Sequence, residues 1–98
     1  MATPEISVER REHGGSGEYV ARLPGSDAAA RLTWTLRGDV RHAEHTFVPP
    51  AVRGGGIAAK LVEALVKDAR EGGFRVAPDC SYVAAAFRRH PEWADLRA

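Results

Sequence analysis

The chain of 98 residues has one cysteine, almost no net charge and no long apolar segment. A single cysteine, Cys80, cannot form an internal disulfide, which is typical of a reducing compartment. Fourteen Lys and Arg residues against 13 Asp and Glu residues give no electrostatic excess for binding nucleic acid or an anionic membrane. The first residues, MATPEISVERR, lack the apolar core of a secretory signal. We therefore expect a cytoplasmic protein without nucleic-acid or membrane partners.

The composition is that of a folded domain. Hydrophobic residues make up 44% of the chain, which is an ordinary share for a globular protein. A chain of this length supports one modest hydrophobic core and is too short for two. Residues 1–98 are therefore predicted to form a single compact domain, and no metal ligands are assigned in it.

The first half of the chain has the alternating pattern of half-buried strands. Turn-forming residues separate the segments, as in HGGSG, PGSD and Gly38-Asp39. Within the fourth segment, His42 and His45 lie three positions apart, an odd spacing, so we expect them on opposite faces of the sheet. The four predicted strands are EISVERRE, EYVARLP, ARLTWTLRG and VRHAEHTFV.

The second half changes to helical spacing. Apolar residues from Ile57 recur three and four residues apart and predict a helix as far as about Glu71. FRVAP then predicts a short buried strand, and DCSYVAAAFRRH predicts a second helix with Asp79 or Ser81 as its N-cap. The fold class is α/β (α+β), in the order ββββαβα. An antiparallel sheet is followed by a βαβα unit with a parallel crossover.

Three consecutive glycines, Gly54–Gly56, lie between the fourth strand and the first helix. A P-loop would need Lys followed by Ser or Thr, but Lys60 is followed by Leu61. A dinucleotide fingerprint fits Gly54-x-Gly56-x-x-Ala59 only loosely, and it belongs to a parallel sheet. A plain connecting loop remains an alternative. The free N–H groups of a helix N-terminus and its dipole would suit a pyrophosphate, and glycines would allow its close approach.

The segment RGGGIA satisfies Arg-x-x-Gly-x-Ala from Arg53 and resembles the acyl-CoA-binding signature of the GNAT acetyltransferase superfamily. The resemblance continues through HTFVPP, the Pro-x-Cys at Pro78–Cys80 and the late RHPEW. Over about residues 40–96 the chain resembles the small single-domain branch of that superfamily. The elements recur in the same order at matching spacing.

This resemblance implies acetyl-CoA as co-substrate. The amide-bearing pantetheine arm would lie along the strand at Thr46, Phe47 and Val48. His45 and Cys80 match the family residues near the thioester and are the candidate catalytic residues: His45 as a base for the amine, and Cys80 as a nucleophile or an acid, with a buried structural cysteine as the alternative. The pyrophosphate would be bound by Arg53, Gly54, Gly55, Gly56, Ile57 and Ala58.

The sequence departs from the superfamily pattern in two places. The last helix reads Ala84–Phe87 where many members have a tyrosine, and Tyr82 is one turn early. The turns between the first strands are also too short for the helices that usually build the acceptor pocket. The resemblance therefore implies an open acceptor side that suits an exposed amine, including one on a protein or peptide. A non-catalytic CoA-binding or interaction module is the alternative, and a small nucleic-acid-binding domain is disfavoured by the charge.

Overall fold

Five strands form one mixed sheet whose strand order follows the chain. The structure, a computed structural model, describes residues 6–53 and 56–98. Strands β1 to β4 are antiparallel neighbours, whereas β5 is parallel to β4. The predicted fold class and order of elements are confirmed. The strands are β1 (Ser7–His13), β2 (Ser16–Arg22), β3 (Ala29–Arg37), β4 (Val40–Phe47) and β5 (Arg75–Ala77).

Two α-helices complete the fold of the residues that the structure describes. Helix α1 (Ile57–Gly72) is the crossover that parallel strands β4 and β5 require, and α2 (Ser81–Arg89) follows β5. Short 3-10 helices span Pro50–Val52 and Pro91–Leu96. Helix α1 ends where Gly73 adopts φ 70° and donates its N–H to the Ala69 carbonyl. Neither helix of the described ranges combines the length and apolarity needed to cross a membrane.

The face of the sheet that lies under the helices is apolar, and we call it the core face. Its strands supply buried Tyr19, Leu32 and Trp34, and α1 packs Leu61 and Leu65 against them. The helix buries this stripe because its apolar residues recur at helical spacing. Gly17 faces Trp34 across the β2–β3 pair, where a Cβ atom would overlap the indole ring. Glycine at this position therefore allows the tryptophan to lie flat on the sheet.

We call the opposite face of the sheet the open face. No helix formed by residues 6–53 covers it. Tight turns connect β1 to β4, so this part of the chain places no covering element there. By the strand register, the open face presents the side chains of Arg11, Glu18, Val20, Arg31, Thr33 and Thr35. Val20 is buried there, and Glu9 and Arg31 are its partners on the neighbouring strands. Buried Val20 thus lies between residues with charged side chains on both neighbouring strands.

A β-bulge at Glu44 changes the direction of the side chains along β4. Thr33 pairs with His45 but Trp34 pairs with Ala43, so Glu44 is the extra residue. Because His42 pairs with Thr35, both histidines lie on the open face. The expectation that they face opposite sides was wrong, since one inserted residue reverses the alternation beyond it.

A polar cluster lies at the edge of the core face, beside the second half of α1. Asp68 accepts hydrogen bonds from Tyr19 Oη and Arg10 Nε, both at 2.8 Å. Burial raises the pKa of the Asp68 carboxyl, but these hydrogen bonds outweigh it and hold the pKa below its ordinary 3.8. Burial, and then the bond to Asp68, raise the pKa of Tyr19. Asp68 is therefore ionised at neutral pH and joins α1 to two strands.

Candidate functional site

Strands β4 and β5 separate after a short paired segment. Their register runs only from Val40–Arg75 to His42–Ala77. The Cys80 N–H then donates to the Ala43 carbonyl at 2.8 Å, which holds the last point of contact. Pro78 follows β5 directly and has no N–H to continue the ladder. Residues 44–47 of β4 therefore border a gap on the side away from β3.

A cleft of about 380 Å³ opens at this gap. One wall is the end of β4, a second is the first turn of α1, and Tyr82 of α2 completes it. Most of the lining is apolar, with a few polar groups at the mouth, which is the usual composition of a small-molecule site. The cleft is lined by Thr46, Val48, Arg53, Gly56, Ile57, Ala58, Ala59 and Tyr82.

The N-terminus of α1 points into this cleft. Gly56 is the N-cap and adopts φ 75°, a left-handed conformation that strains any residue with a side chain. The first helical bond runs from the Lys60 N–H to the Gly56 carbonyl, so the N–H groups of residues 57–59 have no acceptor within the helix. Together with the positive end of the helix dipole, they suit a bound anion. Gly54 and Gly55 lie outside the described residues.

Arg53 places a cation at the mouth of the cleft. Its Nε donates to the Val48 carbonyl at 3.0 Å, which fixes the start of the side chain against the end of β4. The residue is exposed, so the rest of the guanidinium remains accessible to a ligand. Three N–H groups and one guanidinium thus converge on a single end of the cleft.

The strand residues expected along the pantetheine arm alternate in direction. The side chains of Thr46 and Val48 line the cleft. Phe47 pairs with Arg31, so its side chain lies on the open face, where 57% of it is exposed. Phe47 can therefore contribute to the cleft only through its backbone, which borders the gap.

Cys80 lies on the cleft side of the gap as the N-cap of α2. The sequence suggested Asp79 or Ser81 for this position, but the Asp79 carboxylate binds His42 instead. The Cys80 Sγ lies 3.4 Å from the Thr46 Oγ1. Burial raises the pKa of the thiol, but hydrogen bonds with Thr46 and with the N–H groups of α2 outweigh it and lower the pKa below its ordinary value. The thiolate is therefore easier to form here than in water.

His45 is exposed on the open face, whereas Cys80 reaches the edge of the cleft through its contact with Thr46; neither residue is among those that line the cleft. The structure thus places the two candidate catalytic residues on opposite sides of the gap between β4 and β5. The cleft also contains Ala59 and Tyr82, which the sequence did not assign to the cofactor site. Tyr82 was detectable, because it follows Cys80 by two residues in the first turn of α2. Among the described residues, no group of three or more His, Cys, Asp or Glu is arranged to bind a metal.

A family model described as GCN5-related N-acetyl-transferase matches residues 18–96. The matched segment runs from β2 to the last 3-10 helix and includes every residue that lines the cleft. It also includes both sides of the gap, with Cys80 on one and His45 on the other. The resemblance noted in the sequence is thereby confirmed: the chain belongs to the GCN5-related N-acetyltransferase family.

Proposed function

We propose that the protein binds acetyl-CoA in the cleft and transfers the acetyl group directly to an amine. The observation that carries this proposal is the convergence of the α1 N-terminus, Arg53 and the free edge of β4 on one cleft. Each of these groups matches a different part of the co-substrate. Family membership supports the reaction class.

The pyrophosphate of the co-substrate occupies the mouth of the cleft. The N–H groups of Ile57 and Ala58 donate to its oxygens, and the Arg53 guanidinium neutralises part of its charge. The glycines Gly54, Gly55 and Gly56 allow the phosphates to approach the backbone. The pantetheine arm then extends along Thr46, Phe47 and Val48, whose backbone groups pair with its amides as a neighbouring strand would.

The thioester comes to lie in the gap, between Cys80 and the open face. An amine must lose a proton before it can attack the carbonyl carbon, and exposed His45 assists this loss to solvent. When the C–S bond breaks, the electron pair remains on the CoA sulfur. The Cys80 thiol donates the proton that this thiolate takes up and regains one from solvent.

The amine acceptor approaches across the open face. A shallow groove of about 310 Å³ crosses β2 and β3 and reaches β4 at Glu44, and its lining also includes Glu18 and Thr35. Its breadth suits an amine exposed on a protein or peptide. No element in residues 6–53 encloses this groove, so a macromolecular acceptor can reach it.

The test is acetyl transfer to a general amine acceptor, measured with purified protein. Wild type is expected to release CoA as it transfers the acetyl group. Both Cys80→Ser and His45→Ala should lower the rate of this release. The effect of His45→Ala should be larger near neutral pH than at high pH, where amines lose their proton without a base. Iodoacetamide should label Cys80, and bound CoA should protect it. Calorimetry should give weaker CoA binding for Arg53→Gln, with Arg88→Gln, an exposed arginine of α2, as the matched control.

The possible results separate the claims. Loss of transfer in the variants with CoA binding intact supports the enzyme. CoA binding without turnover in the wild type would instead make this a CoA-binding module. Absence of CoA binding would contradict the proposal altogether.

A further inference from the structure

His42 and Asp79 form a hydrogen-bonded pair at the point where β4 and β5 separate. His42 Nδ1 lies 2.8 Å from Asp79 Oδ2. His42 and Ala77 are the last register pair of the two strands, and Asp79 follows two residues later. The side chains are accessible, with 24% of His42 and 52% of Asp79 exposed. The pair therefore spans the start of the gap from one strand to the other.

The aspartate determines which ring nitrogen of His42 is free. An ionised carboxylate only accepts hydrogen bonds, so Nδ1 must carry the proton and donate it. The neutral imidazole then has its lone pair on Nε2. A general-base histidine is commonly oriented in this way: a carboxylate holds the imidazole in one tautomer and stabilises its protonated form.

The position of the pair relative to Cys80 follows from the backbone. His42 directly precedes Ala43, whose carbonyl accepts the Cys80 N–H, and Asp79 directly precedes Cys80. His42 pairs with Thr35 and lies on the open face, whereas Cys80 contacts Thr46, which the bulge at Glu44 turns to the cleft side. A thioester in the gap would thus have a thiol on one side and an imidazole on the other.

His42 is better placed than His45 to accept the proton that the amine loses while the C–N bond forms. His45 is exposed and, in the part of the chain that the structure describes, no hydrogen bond orients its ring. His42 is less exposed and its ring is fixed by Asp79. A base that acts in the transition state has to be held within hydrogen-bond reach of the reacting nitrogen, whereas deprotonation of a free ammonium group does not require this.

We propose that His42 is the proton acceptor of the acetyl-transfer step and that Asp79 is its positioning residue. This inference rests on the proposed function. The amine nitrogen attacks the thioester carbon, the C–N bond forms, and the proton that this nitrogen loses passes to His42 Nε2. The C–S bond breaks with its electron pair on sulfur, which is protonated from Cys80. His42 then releases its proton to solvent on the open face.

The experiment compares His42→Gln, Asp79→Asn and the double variant with wild type in steady-state transfer. Each single change should lower kcat at least tenfold, because a positioned general base contributes about a hundredfold or more. The KM for acetyl-CoA should stay within about twofold, since neither residue contacts the cleft. The double variant should be no slower than His42→Gln alone, because Asp79 acts through His42. Asp39→Asn, an exposed aspartate in the β3–β4 turn, is the matched control and should leave kcat unchanged.

A second readout does not depend on turnover. Nitrogen-15 NMR of the histidine rings should show His42 with its hydrogen on Nδ1, and Asp79→Asn should remove this preference. Wild-type rates in both single variants, or a proton on Nε2 in the wild type, would overturn the role of the pair while leaving the proposed function intact. Absence of transfer in a wild type that binds acetyl-CoA would overturn both. Because Asp79 is half-exposed, Asp79→Asn should fold even if His42→Gln does not.

Discussion

The two faces of the sheet have different tasks. On the core face, Leu32 and Trp34 are buried beneath α1, and the contacts are apolar. On the open face, Glu18 forms ion pairs with Arg11 and Arg31, whose side chains are exposed to solvent. Apolar burial contributes far more to stability than exposed ion pairs do. The core face therefore supplies most of the stability, and the open face is free to carry charge and chemistry.

Strand β4 has side chains on both faces of the sheet, and its bulge determines which residues lie on which face. Before the bulge, Ala43 faces the core; after it, Thr46 does so. His42 and His45 consequently share the open face although they lie three positions apart in the chain. One inserted residue thus brings two histidines to the open face.

The largest effect is expected where the core face meets α1. Leu65→Ala should lower the free energy of unfolding by about 2–5 kcal/mol, because it leaves a cavity at a fully buried site. Lys67→Ala, on the exposed side of the same helix, is the control and should change it by no more than about 0.5 kcal/mol. Urea unfolding measures both. Equal effects would mean that the buried side of α1 is misassigned.

A smaller effect is expected at Asp68, on the edge of the core face. Asp68→Asn should cost about 1 kcal/mol at neutral pH through weaker hydrogen bonds with Arg10 and Tyr19. The pKa of Asp68 is lower in the folded protein than its ordinary 3.8. Its contribution is therefore present above that pH and is lost as the pH falls through the folded-state pKa.

Urea unfolding of wild type and Asp68→Asn as a function of pH checks this sign. The difference between the two should be constant near neutrality and should shrink below about pH 4, as the linkage requires. Asp95→Asn, which removes an exposed pair with Arg70, is the control and should have little effect at any pH. A difference that grows in acid would show that burial, and not hydrogen bonding, dominates at Asp68.

The smallest effect is expected on the open face. Arg31→Ala removes an exposed ion pair with Glu18 and should cost about 0.2–1 kcal/mol. Added salt should reduce even this cost, because exposed charges are screened. A loss comparable to that of Leu65→Ala, independent of salt, would contradict the division of tasks between the faces.

Much of the fold was predictable because its periodic signals are long. The helix from Ile57 and the strand with Leu32 and Trp34 carry clear periods, and Gly73 ends α1 as a glycine at that position commonly does. The glycine loop lies next to the end of α1 at which the cleft opens, and its role in binding CoA stays a prediction. The reducing, cytoplasmic location and the single domain stay predictions.

The rest depended on long-range geometry that a local pattern does not contain. The bulge at Glu44 arises from register between β3 and β4, and nothing in VRHAEHTFV marks it. The pairing of His42 with Asp79 joins residues 37 positions apart. Because the Asp79 side chain binds His42, it does not cap α2 as local spacing predicted, and Cys80 is the N-cap residue instead.

The central claim, that CoA binds in the cleft between β4, the α1 N-terminus and Tyr82, is tested most directly by a two-dimensional NMR titration of labelled protein with CoA. The account predicts amide shifts that saturate and are concentrated at Thr46, Val48, residues 56–59 and Tyr82. The amides of Arg11 and Val20, on the far strands of the sheet, should not move. Saturating shifts centred elsewhere, or no shifts at millimolar CoA, would contradict it.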